Sequence, residues 1–253
     1  MHAFRNRLAQ YSDIPDKVWN VIQDIGTKPG HFKAGADIIR VGEITDSLFI
    51  ISTGWATRFR TLEDGRRQIV NFMLPGDIFD LQALARMEAD HSVSALTDVS
   101  ILSISPQKFI RKMRESGEVS SAFWWAAVQE ESILREQAVR LGRRSARERI
   151  GHLLLELQRR MNGALGSNAE QLSLPLTRVD LADALGLTPV HVSRTMSAMR
   201  SAGLIEEHRG LVLIRDRQRL ARLSHFDPDY LHLRKLDYSR FSEDTPDVPS
   251  KVV

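Results

Sequence analysis

The chain of 253 residues contains no cysteine. That absence excludes disulfides, thiolate zinc sites and thiolate-held iron–sulfur clusters together, and it accords with a reducing compartment. No apolar run approaches the ~18 residues that a membrane span requires. The opening stretch MHAFRNRLAQYSD also lacks the apolar core of an export signal. A cytoplasmic location with no membrane partner is therefore expected. Catalytic signatures are missing as well. No G-x-S-x-G, H-E-x-x-H, G-x-x-x-x-G-K or EF-hand pattern occurs, and His225 and His232 are too irregularly spaced to claim a metal. Adjacent carboxylates such as Glu130-Glu131 and Glu206-Glu207 fit solvated faces. Neither an enzyme activity nor a metal is expected.

The most informative stretch that is present runs from Leu174 to Ile214. Thr177 is placed to cap a helix, with Asp180 three residues on as a short variant of the capping box. Leu181, Ala182 and Leu185 supply that helix with a buried stripe, and Gly186 sits where the chain must turn. Thr188 caps a second helix over 189–202, with Pro189 at its first position, where a missing N–H costs nothing. Val192, Met196 and Met199 recur at i, i+4 and i+7 and point inward. Val190, Ser193, Arg194 and Ser197 are left on the outward face. Gly203 ends the helix, and Leu204–Ile214 reads as two short strands around His208-Arg209-Gly210. Two helices, a tight turn and a hairpin are the parts of a winged helix-turn-helix that reads the major groove of DNA. The charge distribution agrees: residues 146–224 carry 12 Lys/Arg against 8 Asp/Glu, and residues 106–145 carry 8 against 5.

The first hundred residues have a different texture. Short β-type runs (Asp37–Val41, Leu48–Thr53, Trp55–Leu62, Gln68–Met73, Ser92–Ala95, Ser100–Ser103) are separated by turn chemistry, with glycines at 42, 54, 65 and 76 and a hairpin turn at Glu63-Asp64-Gly65. Regular spacing of this kind predicts a small antiparallel β-roll. Between the two regions, Glu118–Leu141 has neither Pro nor an interior break, and Val119, Phe123, Ala126, Glu130, Ile133 and Gln137 fit one heptad seam. A lone long amphipathic helix with a narrow seam wants a partner, and a second copy of the chain is the economical one. The alternative is packing against the chain's own β domain, which Trp124 and Trp125 would share. Ser145–Met161 reads as a further helix with Ile150, Leu153, Leu154, Leu157 and Met161 on one face. Asn162–Gln171 is a polar loop before a short strand over Leu172–Leu176. Phe226–Leu236 carries apolar anchors that can pack back on either domain, and the polar, proline-bearing 239–253 is expected to be disordered. The fold class is α+β: a β-roll over 1–117, a dimerisation helix and hinge over 118–144, a winged helix-turn-helix over 145–224 and an extension over 225–253.

This order of parts resembles the cyclic-AMP-receptor/fumarate-nitrate-regulator (Crp/Fnr) family of bacterial transcription factors. The resemblance runs from about His31 to about Leu223. It is carried most specifically by TRVDLADALGLTPVHVSRT, with ARERIGHLLLEL and PGDIF in support. It implies a homodimer with an N-terminal cyclic-nucleotide-binding-like β-roll, a central dimer helix and two recognition helices about 10 base pairs apart on a pseudo-palindrome. The partners expected are double-stranded DNA, a second copy of the chain and RNA polymerase. Arg194 matches the family's recognition-helix arginine, which suits guanine, and Ser193 matches a second base-contact position. Thr177, Arg178, Thr188 and His191 fall where relatives hold phosphates, and Arg209 lies in the expected wing. Val190 stands where many relatives have a glutamate that accepts from cytosine, so the operator is expected to differ from the usual half-site at that base.

The effector site implied by the resemblance departs further. Asp80 or Leu81 falls near the family's ribose-binding glutamate, and His91-Ser92 replaces the Arg-Ser pair that clamps the cyclic phosphate. A histidine lacks the fixed two-pronged fork of arginine. Cyclic AMP is therefore not expected as effector, haem has no recognisable ligand motif, and the oxygen-sensing cluster lacks its cysteines. The expected function is a dimeric, sequence-specific DNA-binding regulator, with the β-roll as the candidate site of gating by an unknown effector. The competing reading is a sensor or scaffold without DNA, using the C-terminal domain for protein contacts.

Overall fold

The protein is described from a computed structural model that covers residues 1–11, 15–23, 25, 27–167, 171–208 and 211–233. Among the described residues the N-terminal half forms eight strands: β1 Thr27–Phe32, β2 Asp37–Ile39, β3 Leu48–Thr53, β4 Ala56–Thr61, β5 Arg67–Met73, β6 Ile78–Phe79, β7 Ser92–Ala95 and β8 Val99–Ile104. They pair antiparallel in two four-stranded sheets, ordered β1-β8-β3-β6 and β2-β7-β4-β5. Ile39, Ile51, Ala56, Phe79, Val93 and Ile101 fill the roll between them. The turn at Glu63-Asp64-Gly65 joins β4 to β5, with Gly65 in the left-handed region. β1 and β6 have no counterpart in the sequence reading. β1 contains Pro29 and Gly30, which argue against a strand except at a sheet edge, and the edge is where it lies.

Two helices, α1 His2–Leu8 and α2 Asp16–Gln23, precede the roll. After it come α3 Pro106–Glu115 and the 27-residue α4 Gly117–Arg143. α4 starts at Ser116, whose hydroxyl accepts the Val119 N–H, and ends where Arg144 and Ser145 turn extended. Glu148 then accepts the Ser145 N–H at 2.7 Å and restarts the chain as α5 Ala146–Leu165.

The face of α4 picked out by the heptad pattern does not point away from the molecule. Val119, Phe123 and Ala126 are buried against α1, α2 and α3, with Phe123 edge-on to Phe109 at 4.6 Å. Glu130 pairs with Arg58 of β4, Ile133 is buried, and Gln137 donates to the Ala184 carbonyl at 2.7 Å. The expected dimer seam is therefore corrected: these six residues pack within one chain. A seven-residue apolar pattern identifies a face that is buried, but it does not say against what. Trp125 also turns inward, stacking on Tyr11, while Trp124 is 71% exposed.

The middle of α5, over 150–158, is buried on all sides rather than on one. Besides the expected Ile150, Leu153, Leu154 and Leu157, the structure encloses His152, Leu155, Glu156, Gln158 and Arg160. Its apolar side joins Trp55, Ile69, Phe72 and Leu74 of the roll to the C-terminal core, so one hydrophobic cluster spans both halves. Its polar side holds a chain of ion pairs: Arg140 of α4 to Glu156, Arg160 to Glu156 and to Asp77, and Arg7 of α1 to the same Asp77. Gly151 lets α8 (Arg217–Ser224) approach, since a Cβ there would lie 2.1 Å from the Ser224 hydroxyl. Beyond α8, Phe226 and Tyr230 flank the His152 ring, and Leu231 is buried, its carbonyl accepting from Gln129 of α4 at 2.6 Å. The start of the extension thus packs back as its anchors suggested. Residues 234–253, including the stretch expected to be disordered, lie outside the described residues.

Candidate nucleic-acid interface and ligand cavity

The C-terminal core presents a second pair of helices, α6 Arg178–Leu185 and α7 Pro189–Ser201, and a three-stranded sheet ordered β10-β11-β9, from β9 Gln171–Ser173, β10 Ile205–His208 and β11 Leu211–Ile214. The expected capping chemistry is present. The Asp180 N–H donates to the Thr177 hydroxyl at 3.1 Å, and Asp180 Oδ2 accepts the Thr177 N–H at 2.9 Å. Gly186 closes α6 in the left-handed region. Thr188 accepts the His191 N–H at 3.2 Å, and Pro189 opens α7. Val192, Met196 and Met199 are fully buried. Inward packing of those three residues leaves Val190, Ser193, Arg194 and Ser197 exposed on one face, with Val190 75% accessible. Among the described residues, Arg194 takes part in no hydrogen bond or ion pair, so its guanidinium is free for an external acceptor.

The residues expected to hold phosphates divide. Thr188 and His191 sit at the N-terminal end of α7, where the helix dipole favours an anion, with Pro189 lacking an N–H and the His191 N–H taken by the Thr188 cap. Arg178 at the start of α6 pairs with Glu207 of β10 at 2.5 Å, and Arg200 of α7 approaches the same carboxylate at 3.2 Å. Thr177 is engaged in its cap: its hydroxyl donates to Asp180 Oδ2 at 2.6 Å. Arg209 lies outside the described residues. α6 is also tied to the roll. Arg67 of β5 donates to Asp183 and to Asp180, both at 2.9 Å, and so fixes the C-terminal helices relative to the roll.

The second site is a cavity of about 430 Å³ between the roll and α4. Asp80, Leu81 and His91 line it as expected, but Ser92 does not. Successive residues of a strand alternate in direction, and the Ser92 hydroxyl accepts the Val41 N–H at 3.1 Å. The sequence reading missed Arg58, Arg60, Gln82 and Asp90, and it placed Glu130 on a dimer seam rather than in this cavity. The alternation of β4 was the signal for Arg58 and Arg60; no local pattern marks which side of a roll faces a distant helix.

Comparison with known proteins agrees with both halves. A model of the cyclic nucleotide-binding domain matches residues 29–116, and a model of the Crp-like helix-turn-helix domain matches residues 148–223. The nitrogen fixation regulation protein FixK of Azorhizobium caulinodans is 31% identical over 204 residues, covering 80% of this chain and 81% of that protein. The transcriptional activator protein FnrL of Cereibacter sphaeroides is 34% identical over 203 residues, covering 78% and 81%. The solved structure of FixK2 from Bradyrhizobium japonicum superposes with a TM-score of 0.69 at 27% identity, covering 78% of this chain and 97% of that one.

Proposed function

From the premise that the chain belongs to the Crp/Fnr family of transcription regulators, we propose that it acts as a homodimer that reads a pseudo-palindromic DNA site with α7 in the major groove. The observation that carries this reading is the exposed face of Val190, Ser193 and Arg194, held rigid by the buried Val192, Met196 and Met199. Arg194 is positioned to donate to guanine O6 and N7, and Ser193 to a neighbouring base. Val190 offers only apolar contact, which suits a thymine methyl. Thr188 and His191 approach phosphate at the start of α7, whereas Arg178 must first leave Glu207. Relatives of this kind are transcription regulators, and FnrL is a transcriptional activator; RNA polymerase is accordingly the further partner proposed.

The dimer needs a face of α4 that the chain leaves open. Trp124, Ala127, Glu131, Leu134, Ala138 and Leu141 are exposed or half-buried and recur at alternating spacings of three and four, one residue on from the seam read in the sequence. That face supplies the second copy with a heptad stripe. Because Ala127, Glu131 and Leu134 also line the cavity, a ligand there biases the position of α4 and with it the spacing of two recognition helices, a shift between two populations.

Arg194→Ala tests the DNA reading. The side chain is exposed, so folding should be unchanged while about 1–3 kcal/mol of discrimination is lost at one base of the half-site. Unchanged discrimination would favour the scaffold reading. Trp124→Glu tests the seam: sedimentation should show a folded monomer, and a dimer as tight as the wild type would move the interface elsewhere.

A further inference from the structure

The family model that covers the roll implies a cyclic nucleotide, and the groups that line the cavity do not fit one. A cyclic phosphate needs fixed, unspent donors. Ser92 does not reach the cavity. Arg58 is paired with Glu130, and Arg60 donates to the Asp90 carbonyl at 2.5 Å. Against these two arginines the lining sets four carboxylates: Asp80, Asp90, Glu130 and Glu131.

The unsatisfied groups instead ask for donors. Asp80 is 3% exposed; one carboxylate oxygen accepts from Thr45, while Oδ1 has no partner. Burial holds its carboxyl above the usual range. Asp80 also adopts φ of +62°, in the left-handed region that Asp and Asn tolerate better than other non-glycine residues. His91, 9% exposed, has Nδ1 2.7 Å from Asp90 Oδ1. Its Nε2 is buried and unpaired as well. Gln82 Oε1 is a second buried acceptor without a donor, and Arg58 Nε is an orphan donor. The remaining wall is apolar, from Ile78, Phe79 and Leu134. Leaving a buried acceptor without a partner is unfavourable, so Asp80 Oδ1 and Gln82 Oε1 around one cavity mark a place where a ligand supplies donors.

We propose that this cavity binds a small organic molecule with an apolar body and a protonated amine or amidine head seated on Asp80, and that it rejects cyclic nucleotides. The proposal rests on the reading of the roll as the sensor half. Matched probes separate the charges: benzamidine and benzoate share size and shape but differ in sign, and cyclic AMP stands for the family ligand. Each is titrated into the isotope-labelled full-length protein without DNA, following the Gln82 side-chain amide and the backbone amides of Asp80 and Leu81. Benzamidine should shift these signals saturably, and benzoate and cyclic AMP should leave them in place. Asp80→Asn, which keeps a residue tolerant of the left-handed region, should weaken benzamidine about tenfold or more. If that variant unfolds, Gln82→Met should weaken it severalfold instead. No shift with benzamidine, equal binding by the variants, or binding of benzoate or cyclic AMP at these signals overturns the assignment. Because the readout contains no DNA, such a failure leaves the DNA-reading proposal standing.

Discussion

α5 and α7 belong to the same DNA-binding half, and both carry arginine, but they use it in opposite ways. Arg160 of α5 is 7% exposed and bonded to Asp77, Glu156, Asn71 and the Phe72 carbonyl. Arg194 of α7 is exposed and holds nothing in the described structure. The buried guanidinium joins the reading head to the roll, where removing a partner leaves an uncompensated charge. The exposed one contributes nothing to the fold and is available to a ligand. Sequence alone treats the two residues alike; burial and partners separate a structural arginine from a reading one.

The strongest way to break this comparison is Glu156→Leu. It strips Arg140 and Arg160 of their shared carboxylate and should cost about 3–5 kcal/mol in urea unfolding, while Lys33→Ala, which breaks the exposed Asp98 pair, should have no measurable effect. A loss near zero for Glu156→Leu would mean that the network is not what joins the halves. Acid should sharpen the same contrast. Burial, followed by the neighbouring Arg140 cation, depresses the His152 pKa to about 3, whereas the unfolded chain titrates near 6.5. The unfolded state therefore binds more protons in that interval, and His152 contributes stability above about pH 6.5 that is lost as pH falls towards 3. His152→Gln, which retains an acceptor for Arg140, should flatten the fall in unfolding free energy across that window by a few kcal/mol; a slope equal to the wild type would contradict the buried neutral ring. Gly151→Ala should cost about 1–3 kcal/mol because α8 leaves no room for the added carbon. The loss should appear in the thermal midpoint, and DNA discrimination should not change.

The reading head was the most legible part, because its signals are local. Thr177 with Asp180, Gly186, and Thr188 with Pro189 state where helices begin and end, and the structure places those caps as the spacing predicts. Most of the strands were legible through alternation, and β1 was not, because its Pro29 and Gly30 are tolerated only by an edge position that topology decides. The seam on α4 was misassigned for a related reason. Glu130 and Gln137 looked like polar interruptions of a dimer interface, but they are partners of Arg58 on β4 and of the Ala184 carbonyl on α6. Those partners lie 72 and 47 residues away in the chain, and no periodicity encodes a contact at that range. The cavity was partly legible: the departure at His91-Ser92 was visible, and the acceptor-rich lining around Asp80 was not.

The measurement that bears most directly on the account is selection from random DNA with the purified full-length protein at near-physiological salt. The account predicts enrichment of a two-fold symmetric site with half-site centres about 10 base pairs apart, departing at one base from half-sites read through a recognition-helix glutamate, because Val190 accepts no hydrogen bond. Arg194→Ala should lose the preference for guanine within each half-site. An enriched site without two-fold symmetry, or the glutamate-type half-site with its cytosine intact, would contradict it.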